Sequence, residues 1–288
     1  MSFVKRVIQI TITLGSGSFG DDKGNTLVLS GLRTLVNISA FGGDSQGEAN
    51  VRIYGLTLDL INQLTTIGPI MTEIRGKNLI DIAAGDENGT LSTIYKGTIL
   101  NAWGDFRSSP DVGLNIVAYA AMRPALAPVS PTSYEGGANV ADIMAAIAKK
   151  GQLNLINHDV SVFLSSPYFP GSALDQIRAC AKAAGIDYII ETGTLSIWPR
   201  GGSRAGEIPV LSPGGGLIGY PTFSSQGVLL QCEFLPSIRT GGKVKVENSS
   251  IPMANGTWVV FQCSYDISSE MPDGPWFTNL EVWNRDGE

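Results

Sequence analysis

The sequence predicts a mainly β protein with an α+β insert: two small antiparallel β-barrel domains, over 1–123 and 217–288, flank a small α/β domain over 132–200. Three observations predict it. Short runs near both ends of the chain alternate apolar with polar residues, which is the period of a strand with one buried face. Glycine is abundant, at 35 of 288 residues, and gathers with Asn, Asp and Pro between those runs, where tight reversals are needed. The middle of the chain switches to helical spacing, between a proline-rich stretch over 123–131 and a Gly/Ser/Pro-rich stretch over 201–216.

In chain order, Ile8, Ile10, Ile12 and Leu14 alternate with Gln9, Thr11 and Thr13, which predicts an opening strand and not the unbroken apolar core of a signal peptide. The polar stretch from Gly20 to Asn25 turns the chain into a second strand. Its Asp21 and Asp22 lack the closing carboxylate of a calcium loop and are read as turn chemistry. Val36, Ile38 and Ala40, then Val51 and Ile53, predict a hairpin across the Gly42 to Gly47 connection. Leu56, Leu60, Ile61 and Leu64 have helical spacing, so a short amphipathic helix is expected to plug one end of the first barrel. Strands over 79–83, 97–103 and 114–119 complete that barrel, with Asp86-Glu87-Asn88-Gly89 as a turn.

Pro124, Pro128 and Pro131 predict a stiff, extended linker. Asn139 then caps a helix carrying Val140, Ile143, Met144 and Ile147 on one face and stopping at Gly151. Ser172 caps a second, with Leu174, Ile177, Ala181 and Ala184 inward and Gly185 as its stop. Strands are expected over 160–164, 186–191 and 195–198, the last two joined by a turn at Thr192-Gly193-Thr194. After the second linker the last barrel follows. Its inward residues are Val228, Leu230, Cys232 and Phe234; Val244 and Val246; Val259, Phe261, Cys263 and Tyr265; and Trp276, Thr278, Leu280 and Val282. Gly241-Gly242 and Pro272-Asp273-Gly274 mark reversals, and Asn255-Gly256 is the signature of a tight hairpin turn.

The formal charge of −6 and the lack of any Lys/Arg-rich run speak against sequence-specific nucleic-acid binding. No apolar run approaches a bilayer's thickness, so no membrane insertion is expected. Cys180, Cys232 and Cys263 have no metal-site spacing and are read as buried free thiols. His158, the one histidine, is read as a solvent-facing loop residue with no nucleophile elbow near it. The carboxylate pairs Asp21/Asp22, Asp86/Glu87 and Asp266/Glu270 give no convincing glycosidase couple, because neighbouring acids in turns point different ways. No catalytic residue, metal or cofactor is therefore assigned, and the chain is not expected to be an enzyme. Trp258, Trp276 and Phe277 crowd the last barrel and are the candidate interface residues, Trp258 facing outward by alternation. Exposed aromatics of this kind build oligomer interfaces or bind sugar rings.

Gly219-Tyr220-Pro221-Thr222-Phe223, Asn255-Gly256-Thr257-Trp258 and the stretch from Ser269 through Pro272-Asp273-Gly274 to Thr278 resemble phrases of the baseplate hub proteins of tailed bacteriophages. Near the front, Tyr54-Gly55-Leu56 followed by Asp59-Leu60 and Gln63-Leu64 looks like a helix of the same family. The resemblance implies a structural virion protein of the tail baseplate, assembled in the host cytoplasm. It further implies a homotrimer whose two barrels per chain present six positions to the tail tube protein and threefold symmetry to the central spike, alongside other baseplate proteins. The rival expectation is a carbohydrate-binding or peptidoglycan-degrading tail component.

Overall fold

The computed structural model describes residues 4–20, 24–41, 46–66, 77–107, 109–126 and 129–283. Asp21 and Asp22, most of the Gly42 to Gly47 connection and Pro128 lie outside the described residues. Two compact units divide the chain: Met1–Ser39, Glu48–Ala120 and Tyr265–Phe277 make the first, and Ala40–Gly47, Ala121–Ser264 and Thr278–Glu288 the second.

The first unit contains β1 (Arg6–Thr13), β2 (Thr26–Leu29), β3 (Thr34–Phe41, whose last two residues count with the second unit), β4 (Glu48–Tyr54), α1 (Leu58–Leu64), β5 (Leu79–Asp86), β6 (Ser92–Asp105) and β7 (Gly113–Tyr119). These strands pair antiparallel in the order β2-β1-β5-β6-β7-β4-β3. The expected alternation sets the register: Ile8, Ile10 and Ile12 of β1 lie opposite Ala84, Ile82 and Ile80 of β5, and all six side chains are buried. Burying an isoleucine side chain contributes roughly 1.5–3 kcal/mol before its conformational entropy is charged against it. The helix α1 starts where Thr57 Oγ1 accepts the Leu60 N–H, and its inward residues are Ile61 and Leu64. Gly104 of β6 lets Ile61 come close, since a Cβ there would lie 2.7 Å from Ile61 Cγ2.

The second unit opens with α2 (Met122–Leu126), β8 (Thr132–Ser133), β9 (Gly137–Asn139), α3 (Val140–Lys150), β10 (Asn154–Asn157), β11 (Phe163–Ser165), β12 (Tyr168–Phe169), α4 (Ala173–Ala184), β13 (Ile186–Glu191) and β14 (Thr194–Pro199). A three-stranded sheet, β10-β14-β13, lies under the two long helices, and Ile143, Ile147, Ile177, Leu195 and Ile197 share its core. Both caps form as the sequence predicts. Asn139 Oδ1 accepts the Ala141 N–H at 2.9 Å, Ser172 and Asp175 cap each other's backbone, and Gly185 ends α4 with φ of 63°.

The proline stretch departs from the expected extended linker. Pro124 sits inside α2 at its third residue, where a missing N–H has no intrahelical partner to lose. Beyond it, the Lys150 ammonium donates to Ser130 O, Pro131 O and Thr132 Oγ1, and buried Gln176 donates to Ser130 O. β10, over residues for which the sequence predicts no strand, runs parallel to β14. Asn157 then closes a turn by bonding both the N–H and the C=O of Val160, which delays the next strand to Phe163.

The chain continues with β15 (Val210–Leu211), β16 (Leu217–Phe223), β17 (Val228–Glu233), β18 (Lys243–Val246), β19 (Gly256–Ser269, whose last five residues count with the first unit) and β20 (Trp276–Trp283, whose first two do). The second glycine-rich stretch is not free either, because Val210 and Leu211 pair parallel with β18. Asn255-Gly256 is not a two-residue hairpin turn. Asn255 has φ of −72° after a 3-10 turn over Pro252–Ala254, and its amide oxygen accepts the Ser249 N–H, so the loop runs from 247 to 255. The Pro272-Asp273-Gly274 reversal forms as expected, with Ser268 N–H donating to Pro275 O at 2.8 Å.

The architecture is mainly antiparallel β with an α/β portion, and among the described residues the strands close no barrel. The strand order β16-β17-β20-β19-β3-β4-β7-β6-β5-β1-β2 begins and ends on different strands, with β18 and β15 branching from β19. At 14 residues, β19 has β3, β18 and β20 as partners, pairings that short-range alternation cannot reveal.

Candidate interaction surface

Within the second unit, β16, β17, β20 and β19 lie side by side and display one face outward. Alternation decides what it shows. Val228, Leu230 and Cys232 of β17 and Thr278, Leu280 and Val282 of β20 turn inward, leaving Leu229, Gln231, Asn279 and Glu281 on the other side. With Gln262 and Ser264 of β19 they line a groove of about 540 Å³. Gln231 Nε2 donates to Asn279 Oδ1 at 2.9 Å, and Ser224 Oγ donates to Glu281 Oε1 at 2.8 Å, so two of its polar contacts are held in place. At Gly227 the strands approach so closely that a Cβ would overlap the Val282 carbonyl.

The rim is made by β16, an end strand of the sheet order. Gly219 takes φ of 66° and the register with β17 shifts between Ile218 and Thr222. That irregularity turns Tyr220 out to 73% exposure and Phe223 to 53%. Neither residue was singled out by alternation. The readable signal was Gly219 and Pro221 on either side of Tyr220, which break an ordinary strand.

Trp258, expected to face outward, is buried at 8% exposure, and its indole N–H donates to Ala254 O at 2.8 Å. Alternation fails there because Trp258, Val259 and Val260 are buried in succession, and Phe261, expected inward, is 41% exposed. Trp276 is also buried, with the Arg6 guanidinium 5.5 Å above its ring, and Phe277 is half-buried. The three aromatics therefore do not form one exposed patch.

A polar joint lies elsewhere in the same unit. Arg204 pairs with Glu191 at 2.5 Å, both side chains being nearly buried, and also donates to Thr240 O and Ser196 Oγ. Arg239 approaches the same carboxylate at 3.6 Å. Arg204 N–H donates to Gly241 O, where φ of 81° and the closeness of Trp198 leave room for glycine alone. Next to this joint His158 is half-buried, not solvent-facing. Its Nδ1 accepts the Ala205 N–H at 3.2 Å, which places the neutral ring's proton on Nε2. Burial lowers its pKa, the Arg204 charge lowers it further, and Asp159 opposes them.

Cys180, Cys232 and Cys263 are buried and free. Burial pushes the thiols of Cys180 and Cys232 up to about 12, far from reactive thiolates. Glu270, half of a carboxylate pair weighed above, is bound to Lys5 at 2.7 Å, and Asp266 has its pKa raised by burial. Among the described residues, no helix is long and apolar enough to cross a membrane.

A family model described as baseplate hub gp41 matches residues 7–282. No curated protein sequence matches the chain. Among solved structures, the fold is similar to the 43 kDa tail protein of prophage MuSo2 from Shewanella oneidensis (TM-score 0.61, 11% identity, 96% of this chain and 97% of that one). It is similar to the tail protein from Neisseria meningitidis MC58 (TM-score 0.62, 10% identity, 96% of each chain). It is also similar to an E. coli component of the type VI secretion system (TM-score 0.60, 10% identity, 88% of this chain and 73% of that one). At such identities these likenesses describe the fold.

Proposed function

The chain belongs to the baseplate hub gp41 family, structural proteins of the phage tail, and from that membership we propose that three copies form a ring adapting the sixfold tail tube to a threefold central spike. The observation that carries this reading is the division of one polypeptide into two compact units, each rich in strands. Three copies then offer six such units. The finer layout we propose is two barrel-like lobes, 1–123 and 217–288, with the α/β portion over 132–200 between them in sequence. Tail tube protein, spike and other baseplate proteins are its partners, and the ring assembles in the host cytoplasm before joining the virion. The chain acts by shape and burial, not by catalysis.

Two end strands support association. β2 carries Val28 at 55% exposure and β16 carries Phe223 at 53%, and strands of this kind are sealed in natural assemblies by a neighbour. Of the aromatics singled out in the sequence, Phe277 keeps some exposure to contribute, while Trp258 and Trp276 act by bracing the strands. The test is direct. Gold-labelled antibody to this chain should decorate the tail end distal to the head in purified particles; label on the head, or on no part of the particle, contradicts the reading.

A further inference from the structure

We infer that the groove on the outer face of β16, β17, β20 and β19 is a binding site for an uncharged saccharide. This does not rest on the ring assembly proposed above; it rests on the lining chemistry. Tyr220 stands at the rim with nearly three-quarters of its surface free, offering an aromatic face to the C–H face of a sugar ring. The lining combines Gln231, Asn279, Gln262, Ser264 and Glu281, hydrogen-bonding groups suited to hydroxyls, with the apolar Ile218 and Leu229, suited to the C–H groups of a ring. The Gln231–Asn279 bond engages one amide proton and one amide oxygen, which leaves Gln231 Oε1 as an acceptor and the Asn279 NH₂ as a donor. Glu281 is held by Ser224 through one oxygen and keeps the other for a ligand hydroxyl. Such paired donors and acceptors, fixed before binding, match vicinal hydroxyls and lower the ordering cost of association.

The same lining argues against other ligands. Among the described residues the lining contains no Lys, Arg or His, so a phosphate or sulfate would meet Glu281 without a countercharge from them. A wholly apolar ligand would cover the second Glu281 oxygen and the remaining amide groups without replacing their water. At about 540 Å³ the groove is large enough for a short oligosaccharide.

The experiment uses the full chain and three neutral probes, cellotetraose, maltotetraose and tetra-N-acetylchitotetraose, in saturation-transfer NMR and calorimetry. At least one should bind saturably. Tyr220→Ala, at an exposed position that the fold does not depend on, should weaken that binding about tenfold, and Asn279→Ala should weaken it by a similar factor. A circular-dichroism melt unchanged by Tyr220→Ala separates lost contact from lost fold. Binding by none of the three probes, binding indifferent to Tyr220→Ala, or tighter binding of a sulfated than of a neutral chain would each overturn the assignment. Failure here leaves the particle location of the chain, and so the hub reading, untouched.

Discussion

At the scale of single residues, the joint around Arg204 carries the strongest electrostatic prediction. Arg204→Ala leaves Glu191 with Arg239 alone at 3.6 Å, and strips the Arg204 donors from Thr240 O and Ser196 Oγ. Removing one partner from a nearly buried pair costs about 3 kcal/mol, and a lowered urea midpoint at unchanged slope would measure it. His158 sets a pH dependence. Its folded pKa lies below the ordinary 6.5, so as pH falls through that value the unfolded chain takes up the proton first. The stability it contributes is present above 6.5 and is lost as pH falls toward the depressed folded value, because a protonated Nδ1 cannot accept from Ala205. Urea titrations at about pH 5 and about pH 7.5 should show a smaller difference for His158→Gln than for the unaltered chain; an equal difference would mean that the ring titrates normally.

Elements that depend on local chemistry were the most legible. α3 and α4 begin and end at residues whose caps can be read directly, because Asn139, Ser172 and Gly185 act through bonds within a few positions of themselves. Ser172→Ala should therefore cost about 1 kcal/mol, read as a drop in thermal midpoint, while Ser172→Asp should largely restore it. The strands β1, β17 and β20 were equally plain from alternation, since each has one covered face. What could not be read depends on partners distant in sequence. β10 forms because β14 lies beside it, Trp258 is buried because both faces of β19 are covered there, and Tyr220 turns out because β16 slips its register. The candidate groove was illegible for that reason: Gln231, Gln262 and Asn279 look like ordinary solvent-facing strand residues until three strands are set side by side.

For the whole molecule, the family model over residues 7–282 makes this a baseplate hub protein of the phage tail, and the division into two β-rich units is the feature from which the ring is proposed. The thiols are buried, the carboxylate of Asp175 accepts from the Ser172 hydroxyl, and Glu270 is ion-paired with Lys5. The claim on which the account turns is that three chains make one ring, and native mass spectrometry of the purified protein tests it most directly. The account predicts a dominant species at three times the 30.5 kDa chain mass; a monomer or dimer alone, at protein concentrations of about 10 μM where interfaces of standard size stay closed, would contradict it.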